Sequence, residues 1–204
     1  MLEILISFAF ATAALAFSPG PDNIFVLTQS IAYGKNYGLA TVAGLMTGCL
    51  IHTTLIAFGV SELIKQNEQI FLVIKFFGAA YLLFLAYSVY QSDPKISYST
   101  NDMSKKSIKE LYITGFWMNV LNPKVTIFFL AFFPQFLFSE TLSTVIQFYI
   151  LGFIFILVSL IVFSGVAILS STIATYIKKH DRIGVYLKWM QIVVFVAIAG
   201  LILL

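Results

Sequence analysis

Long apolar runs, separated by short polar stretches, occupy nearly the whole chain. A helix needs roughly 20 consecutive apolar residues to cross a bilayer core, so these runs predict membrane-spanning helices. The runs are continuous rather than alternating, which argues against an outer-membrane barrel. Six apolar segments can be marked, at residues 2–33, 38–61, 69–91, 108–138, 143–173 and 183–204.

The first and fourth segments are longer than one span requires, and each contains a polar interruption with proline. The first interruption reads FSPGPDN at residues 17–23, and the second reads LNPK at residues 121–124. Proline lacks an amide donor and disfavours helical geometry in the residue before it, so a helix breaks there. Unwound backbone is tolerated at membrane depth only where it is buried in protein or lines a cavity. The two interruptions therefore predict a buried site.

The second segment carries small residues at a spacing of four, namely Ala40, Gly44 and Gly48. In lipid, small residues let the backbones of two helices approach closely. We therefore expect another helix to pack tightly against this face.

The arrangement of the segments indicates two related halves. A polar stretch at 92–107 separates the repeats expected at 1–91 and 108–204, and the first segment of each half is the broken one. IKFFGAAYLLFLA at 74–86 also resembles LKWMQIVVFVAIA at 187–199, although any two apolar helices can align this well. Copies with an odd number of spans insert with opposite topology, which predicts an all-α membrane protein built from two inverted three-helix repeats.

Basic residues concentrate in the loops of one side. They are Lys35, Lys95, Lys105, Lys106, Lys109, Lys178, Lys179, Arg182 and Lys188, whereas the other side receives Lys65 and Lys75. Positively charged loops stay in the cytoplasm, so we expect a cytoplasmic polar linker and an outside C-terminus. The side of the N-terminus stays open, because a re-entrant first segment distributes the loops equally well.

The first segment is expected to be retained. The sequence ALA at 14–16 resembles a signal-peptide cleavage site, but Glu3 stands where a signal peptide carries basic residues. The apolar pattern also resumes directly after the first interruption, which favours an interrupted span.

The composition agrees with a membrane protein and narrows its chemistry. Hydrophobic residues make up 60% of the 204 residues and charged residues 10%, against about 25% charged in soluble domains. The net charge is +3, but the basic residues lie between the spans rather than on the face of a domain. Nucleic acid is therefore not an expected partner. The single cysteine, Cys49, excludes an internal disulfide and a two-thiol redox relay, and it argues against a thiolate metal cage.

Few ionisable side chains lie inside the segments away from their ends. Asp22 follows Pro21, Lys124 follows Pro123, and His52 lies in the second segment. A charge near the bilayer centre costs about 2.5 to 3.5 kcal/mol on insertion scales. We therefore expect these groups to face a cavity or a partner.

The interruptions also supply backbone groups. The prolines leave the carbonyls of Leu15, Phe17 and Asn119 without their helical donors. Gly20 allows a turn, and the helix restarts with Asp22 or Asn23 as its cap. The expected substrate site comprises Pro19, Gly20, Pro21, Asp22, Asn23, Asn119, Asn122, Pro123 and Lys124.

These groups suit a small zwitterion. Asp22 and the open carbonyls can bind an α-ammonium, while Lys124 and the amides of the restarted helix can bind a carboxylate. Asp22 can also carry a coupling proton. The alternative is that Asp22 is only a helix cap and Lys124 its counter-ion. For His52, which lies one turn beyond Gly48, the alternatives are a hydrogen-bonded packing residue and a proton relay.

SPGPDNIFVLTQSIAYGKNYGL at 18–39, followed by NPK at 122–124, resembles the LysE/RhtB family of amino-acid exporters. The resemblance covers essentially the whole chain. It implies export of amino acids or close derivatives across the bacterial inner membrane, driven by proton exchange. Its motif residues correspond to Pro19–Asp22 and Asn122–Lys124, and it does not identify the substrate.

Two other classes are weighed against an exporter of amino acids. A metal-cation exporter needs several acidic or sulfur ligands within the spans. Asp22 is the only such residue clearly placed there by the sequence. An intramembrane enzyme or electron carrier needs a catalytic cluster, but His52 and His180 stand apart. We expect no catalysis, cofactor or metal. The expected partners are an amino acid, a proton and membrane lipid, and a homodimer is among the open oligomeric states.

Overall fold

The computed structural model describes residues 1–18, 20–62, 68–94, 105–180 and 182–203, and its regular elements there are all helices. Pro19, Lys65, Lys95 and most of the predicted linker lie outside these ranges. The α-helices are Leu2–Phe17 (α1), Pro21–Tyr33 (α2), Lys35–Leu55 (α3), Glu68–Gln91 (α4), Ile108–Val120 (α5), Pro123–Ile127 (α6), Thr144–Ile168 (α7), Ser170–Lys179 (α8) and Ile183–Leu203 (α9).

Two α-helices continue into other helical forms. A π-helical turn, Ile56–Val60, extends α3, and another, Phe128–Phe132, extends α6 before the 3₁₀ turn Phe133–Phe136. Within the described ranges, four helices are long and apolar enough to cross a membrane: Lys35–Val60, Gln69–Gln91, Thr144–Ile168 and Ile183–Leu203. The helix pairs α1–α2 and α5–α6 are bent by 61° and 48° at their breaks. If each bent pair is counted as one span, the described residues contain six candidate spans. The predicted all-α membrane class is confirmed.

Both predicted interruptions separate two helices. Pro21 is the first residue of α2, and Pro123 is the first residue of α6. Proline suits this position because its missing amide hydrogen would have no helical acceptor there. In each restarted helix the charged residue, Asp22 or Lys124, comes second. The two interruptions therefore place their charges at equivalent positions.

The fifth apolar segment, predicted at 143–173, ends earlier than expected. Ser143 caps α7 by accepting a hydrogen bond from the amide of Ile146 at 3.3 Å, and α7 ends at Ile168. Leu169 then adopts φ −90° and ψ 11°, and the polar helix α8 begins at Ser170. Polar residues of α8 replace the apolar pattern of α7, and this change marks the boundary.

Small residues bring α3 and α5 into direct backbone contact. Gly44 lies against the backbone of Tyr112, and Gly115 lies against the backbone of Thr41. A Cβ atom at either glycine would overlap the facing carbonyl. The close approach predicted from the spacing of Gly44 is therefore confirmed.

Aromatic side chains around the π-helical turn after α6 form a buried cluster in the core. Phe128, Phe129, Phe132 and Phe133 are fully buried. The rings of Phe129 and Phe133 stack with 4.1 Å between centroids, and Phe8 of α1 meets Phe133 edge-on at 4.8 Å. This packing ties the second broken helix to the first.

Helices α4 and α9 pack on each other, and their opposite faces are exposed and apolar. Phe77 on α4 is 72% exposed, and Val193 on α9 is 62% exposed. Large exposed apolar surfaces are unusual on soluble monomers and are what contact with lipid requires. The two helices therefore shield the broken helices on this side.

Candidate functional site

The two interruptions meet through Asp22 and Asn122. The Asn122 side-chain amide donates a hydrogen bond of 2.8 Å to the Asp22 carboxylate, across a sequence separation of 100 residues. Asp22 is only 8% exposed. A buried carboxylate is costly unless it is paired or hydrogen-bonded, so this contact stabilises the meeting of the two breaks.

Asn122 is fixed at both ends of its amide. Its Oδ1 accepts a hydrogen bond of 3.0 Å from the amide of Lys124 and so caps α6, while its Nδ2 donates to Asp22. Asn122 therefore sets where the carboxylate of α2 lies relative to the start of α6.

Lys124 completes the charged part of the site without touching the carboxylate. Its Nζ donates to the Ser18 carbonyl at 3.4 Å and lies 5.6 Å from the centroid of the Phe195 ring. Asp22 and Lys124, both described, form no direct ion pair. The ammonium therefore keeps donor capacity for another acceptor.

The prediction that Asp22 or Asn23 caps the restarted helix is wrong. Gly20 occupies the cap position with φ −152° and ψ 178°, and no side chain caps α2. Because Pro21 takes the first helical position, Asp22 and Asn23 lie inside the first turn. The Asn23 amide donates to the Ala16 carbonyl at 2.8 Å and joins α2 to the end of α1.

The prediction that the first break opens the Leu15 carbonyl to the site is also wrong. The amide of Ser18 bonds the Leu15 carbonyl at 3.2 Å, so that carbonyl is not open. The carbonyls of Ala16 and Ser18 accept side chains instead, from Asn23 and Lys124. The reason is that the Ser18 amide is shared between the carbonyls of Ala14 and Leu15, which replaces the bond that a proline at position 19 cannot donate.

The carbonyl of Asn119 is freed by Pro123 as predicted, and it accepts hydrogen bonds from other donors. It accepts from the amide of Asn122 at 3.0 Å and contacts Nε2 of His52 at 3.1 Å. His52 is buried, and its ring lies 5.3 Å from that of Phe129. This contact agrees with the interpretation of His52 as a hydrogen-bonded packing residue.

A small cavity lies between the interruptions, with a volume of about 30 Å³. The predicted site residues that line it are Gly20, Pro21, Asp22, Asn23, Asn119, Asn122 and Lys124. Pro123 lines a neighbouring cavity instead, and Pro19 lies outside the described residues. Apolar residues complete the lining, among them Leu45, Val125 and Phe155. The cavity has room for water but not for an amino acid.

Sequence reasoning missed Ser159 of α7. This residue lines the small cavity, is 2% exposed, and its hydroxyl has no hydrogen-bond partner. The Oδ1 atom of Asn119 is likewise buried without a partner. A serine in an apolar helix was the available signal, but Ser164 of the same helix gives that signal too. Only the packing of α7 shows which serine faces the cavity.

Metal-ligating side chains do not cluster in the part of the chain that the structure describes. No three His, Cys, Asp or Glu side chains there lie where they could share an ion.

The apolar helices, the two broken pairs and the polar cavity between them define a multi-pass membrane protein with a polar site inside its helix bundle. The chain belongs to the LysE type translocator family, which it matches over residues 13–204. This match confirms the family suggested by the two proline motifs.

Curated relatives match over most of the chain. The homoserine/homoserine lactone efflux protein of Salmonella typhimurium is 33% identical over 172 residues, covering 84% of this chain and 82% of the relative. The leucine efflux protein of Klebsiella pneumoniae is 27% identical over 166 residues, covering 81% and 78%. An uncharacterised membrane protein of Vibrio cholerae is 28% identical and covers 88% of both chains. No solved structure gives a significant match.

Proposed function

We propose that this protein exports amino acids or close derivatives across the bacterial inner membrane in exchange for protons. The observation that carries the proposal is the placement of Asp22 and Lys124 at one cavity without a direct ion pair. Two opposite charges held apart match the two charges of an amino acid. The efflux functions in the names of two relatives support the same class of substrate.

The substrate's α-ammonium binds Asp22, and its carboxylate binds Lys124. Asp22 retains acceptor capacity, since the Asn122 amide is its one side-chain partner among the described residues. Lys124 retains donor capacity, since its one hydrogen-bond acceptor is the Ser18 carbonyl. The apolar residues of the same lining receive the substrate's side chain.

Asp22 also carries the coupling proton. A carboxylate that binds either an ammonium or a proton exchanges one for the other, which couples outward movement of substrate to inward movement of protons. The single side-chain hydrogen bond to Asp22 supports this role, because the group is not locked into a complete ion pair.

The architecture of the transporter is two inverted repeats, at 1–91 and 108–204, joined by a cytoplasmic linker at 92–107. The pairing of α4 with α9 and of α3 with α7 supports this arrangement, since each pair joins corresponding helices of the two repeats. The crossed contacts of α1 with α7 and of α5 with α3 also support it. From the basic loops we infer that the C-terminus lies outside.

Transport into proteoliposomes tests the proposal. Purified protein is reconstituted, and uptake or release of labelled amino acids is followed under an imposed proton gradient. We expect Asp22→Asn and Lys124→Ala each to lower the transport rate about tenfold or more, since each removes a charge-assisted contact. Glu3→Gln and Lys179→Ala remove exposed charges of the same types and serve as controls.

Wild-type rates in both Asp22→Asn and Lys124→Ala would show that the site is wrong. A transport rate that does not depend on the direction of the proton gradient would contradict the exchange mechanism but not the binding site. If none of the labelled amino acids tested is transported, the proposed function itself is wrong.

A further inference from the structure

A second and larger cavity, of about 330 Å³, adjoins the small cavity on the side of α4 and α9. Its walls include Tyr81 and Ser88 of α4 and Gln191 and Phe195 of α9. Its volume is about ten times that of the small cavity and lies in the range of pockets that bind small molecules.

The two cavities share one wall. Gly20, Pro21, Asn122 and Lys124 line both of them, whereas Asp22 lines only the small cavity. The Lys124 ammonium therefore faces a molecule in either cavity. A molecule passing from one to the other moves along Lys124 before it reaches Asp22.

The large cavity extends to the end of α4 where the polar linker begins. Ser92 is part of its lining, and Nζ of Lys188 on α9 donates to the Ser92 carbonyl at 2.7 Å. Beside this contact the rings of Tyr90 and Trp189 lie 6.2 Å apart. These contacts join α4 and α9 at the linker end, and the lining of the cavity reaches Ser92 there.

The chemistry of the lining favours a carboxylate. Among the described residues of the lining, Lys124 is the one charged side chain and none is acidic. Tyr81, Ser88 and Gln191 add hydroxyl and amide groups to an otherwise apolar wall. An anionic group is thus attracted to Lys124, and neutral hydrogen-bonding groups surround the path that leads there.

We propose that the large cavity is a first binding site for the substrate, entered from the linker side, where the amino-acid carboxylate binds Lys124 before the ammonium reaches Asp22. This inference rests on the proposed function for the identity of the substrate. Gln191 and Tyr81 contact the substrate at this stage, and the small cavity expands only when the substrate moves on.

Thiol labelling tests the proposal, because the chain has a single cysteine, Cys49, which is fully buried. Cys49→Ala provides a cysteine-free background for Gln191→Cys and Ser88→Cys. Val193→Cys is the control, since Val193 is 62% exposed on the same helix as Gln191 but does not line the cavity. Anionic and cationic methanethiosulfonates are applied to vesicles of both orientations.

We expect Gln191→Cys and Ser88→Cys to react from the linker side only, and several-fold faster with the anionic reagent. Adding Lys124→Ala should abolish the preference for the anionic reagent, and a transported amino acid should slow labelling. Val193→Cys should show neither effect. Labelling from the opposite side, equal rates with both reagents, or no protection by a transported amino acid would each overturn the proposal.

The outcome separates this proposal from the proposed function. Charge-selective labelling from the linker side in a protein that transports no amino acid would keep the anion site and reject the substrate. Export without charge-selective labelling would keep the exporter and reject the first binding site.

Discussion

The imidazole of His52 and the carbonyl of Asn119 are hydrogen-bonded between α3 and α5, with 3.1 Å between Nε2 and the carbonyl oxygen. Pro123 lacks the amide hydrogen that this carbonyl would accept in a continuous helix. Because a carbonyl only accepts, Nε2 of His52 carries the hydrogen. A side chain of one helix thus replaces a backbone donor missing from another.

Substitution of His52 separates its two proposed roles. His52→Gln keeps an amide donor and should retain both stability and transport. His52→Leu leaves the Asn119 carbonyl with one donor fewer, which should lower the free energy of unfolding by about 1–3 kcal/mol. Thermal unfolding in detergent and transport in proteoliposomes measure the two effects. A stable His52→Gln protein without transport would favour the proton relay.

Asn122 joins helix capping to the position of Asp22, and two substitutions separate these contributions. Serine caps helices about as well as asparagine, so Asn122→Ser should keep stability near wild type while it removes the donor to Asp22. Asn122→Ala should also lose the cap, at a cost of about 0.5–2 kcal/mol. Transport should fall in both variants. If Asn122→Ser transports normally, the bond to Asp22 is not needed for the site.

Gly44 should tolerate no side chain. Gly44→Ala places a Cβ atom against the Tyr112 carbonyl and should destabilise the protein by about 1–3 kcal/mol, as overpacking does elsewhere. Gly165→Ala is the matched control, because a Cβ atom there meets nothing within 4 Å. The unfolding temperatures of the two variants in the same detergent make the comparison. Equal temperatures would contradict the close contact of α3 and α5.

Ser159 tests whether the small cavity lies on the transport path. Ser159→Ala removes a buried hydroxyl without a partner, so folding should be unaffected or improved. Ser159→Val fills space in a cavity of about 30 Å³ and should block transport while the protein remains folded. The rates of transport of labelled amino acids in proteoliposomes provide the measurement. Normal rates in Ser159→Val would place the path elsewhere.

Local signals were enough to predict the broken helices and the residues at the breaks. Proline and charge inside an apolar run have direct consequences for helix geometry and solvation, so Asp22 and Lys124 could be selected from the sequence. The spacing of Gly44 and Gly48 likewise predicts close packing from a single face of one helix. These inferences needed no knowledge of how distant segments pack.

The contacts across the site could not be predicted in the same way. The bond from Asn122 to Asp22 depends on the relative placement of two helices separated by 100 residues. Ser159 enters the site only through the rotation of α7. The wrong helix cap has a local cause, since Pro21 and Gly20 share the start of α2 in a way that the sequence allowed but did not require.

The separation of Asp22 and Lys124 within one cavity has an electrical consequence. Moving one elementary charge through a membrane potential of 100 mV involves about 2.3 kcal/mol. When the carboxylate and the ammonium move together, their contributions cancel, and a bound zwitterion adds none. In the proposed mechanism, reorientation of the empty or amino-acid-loaded protein therefore does no electrical work, and any voltage dependence of transport comes from the proposed coupling proton alone.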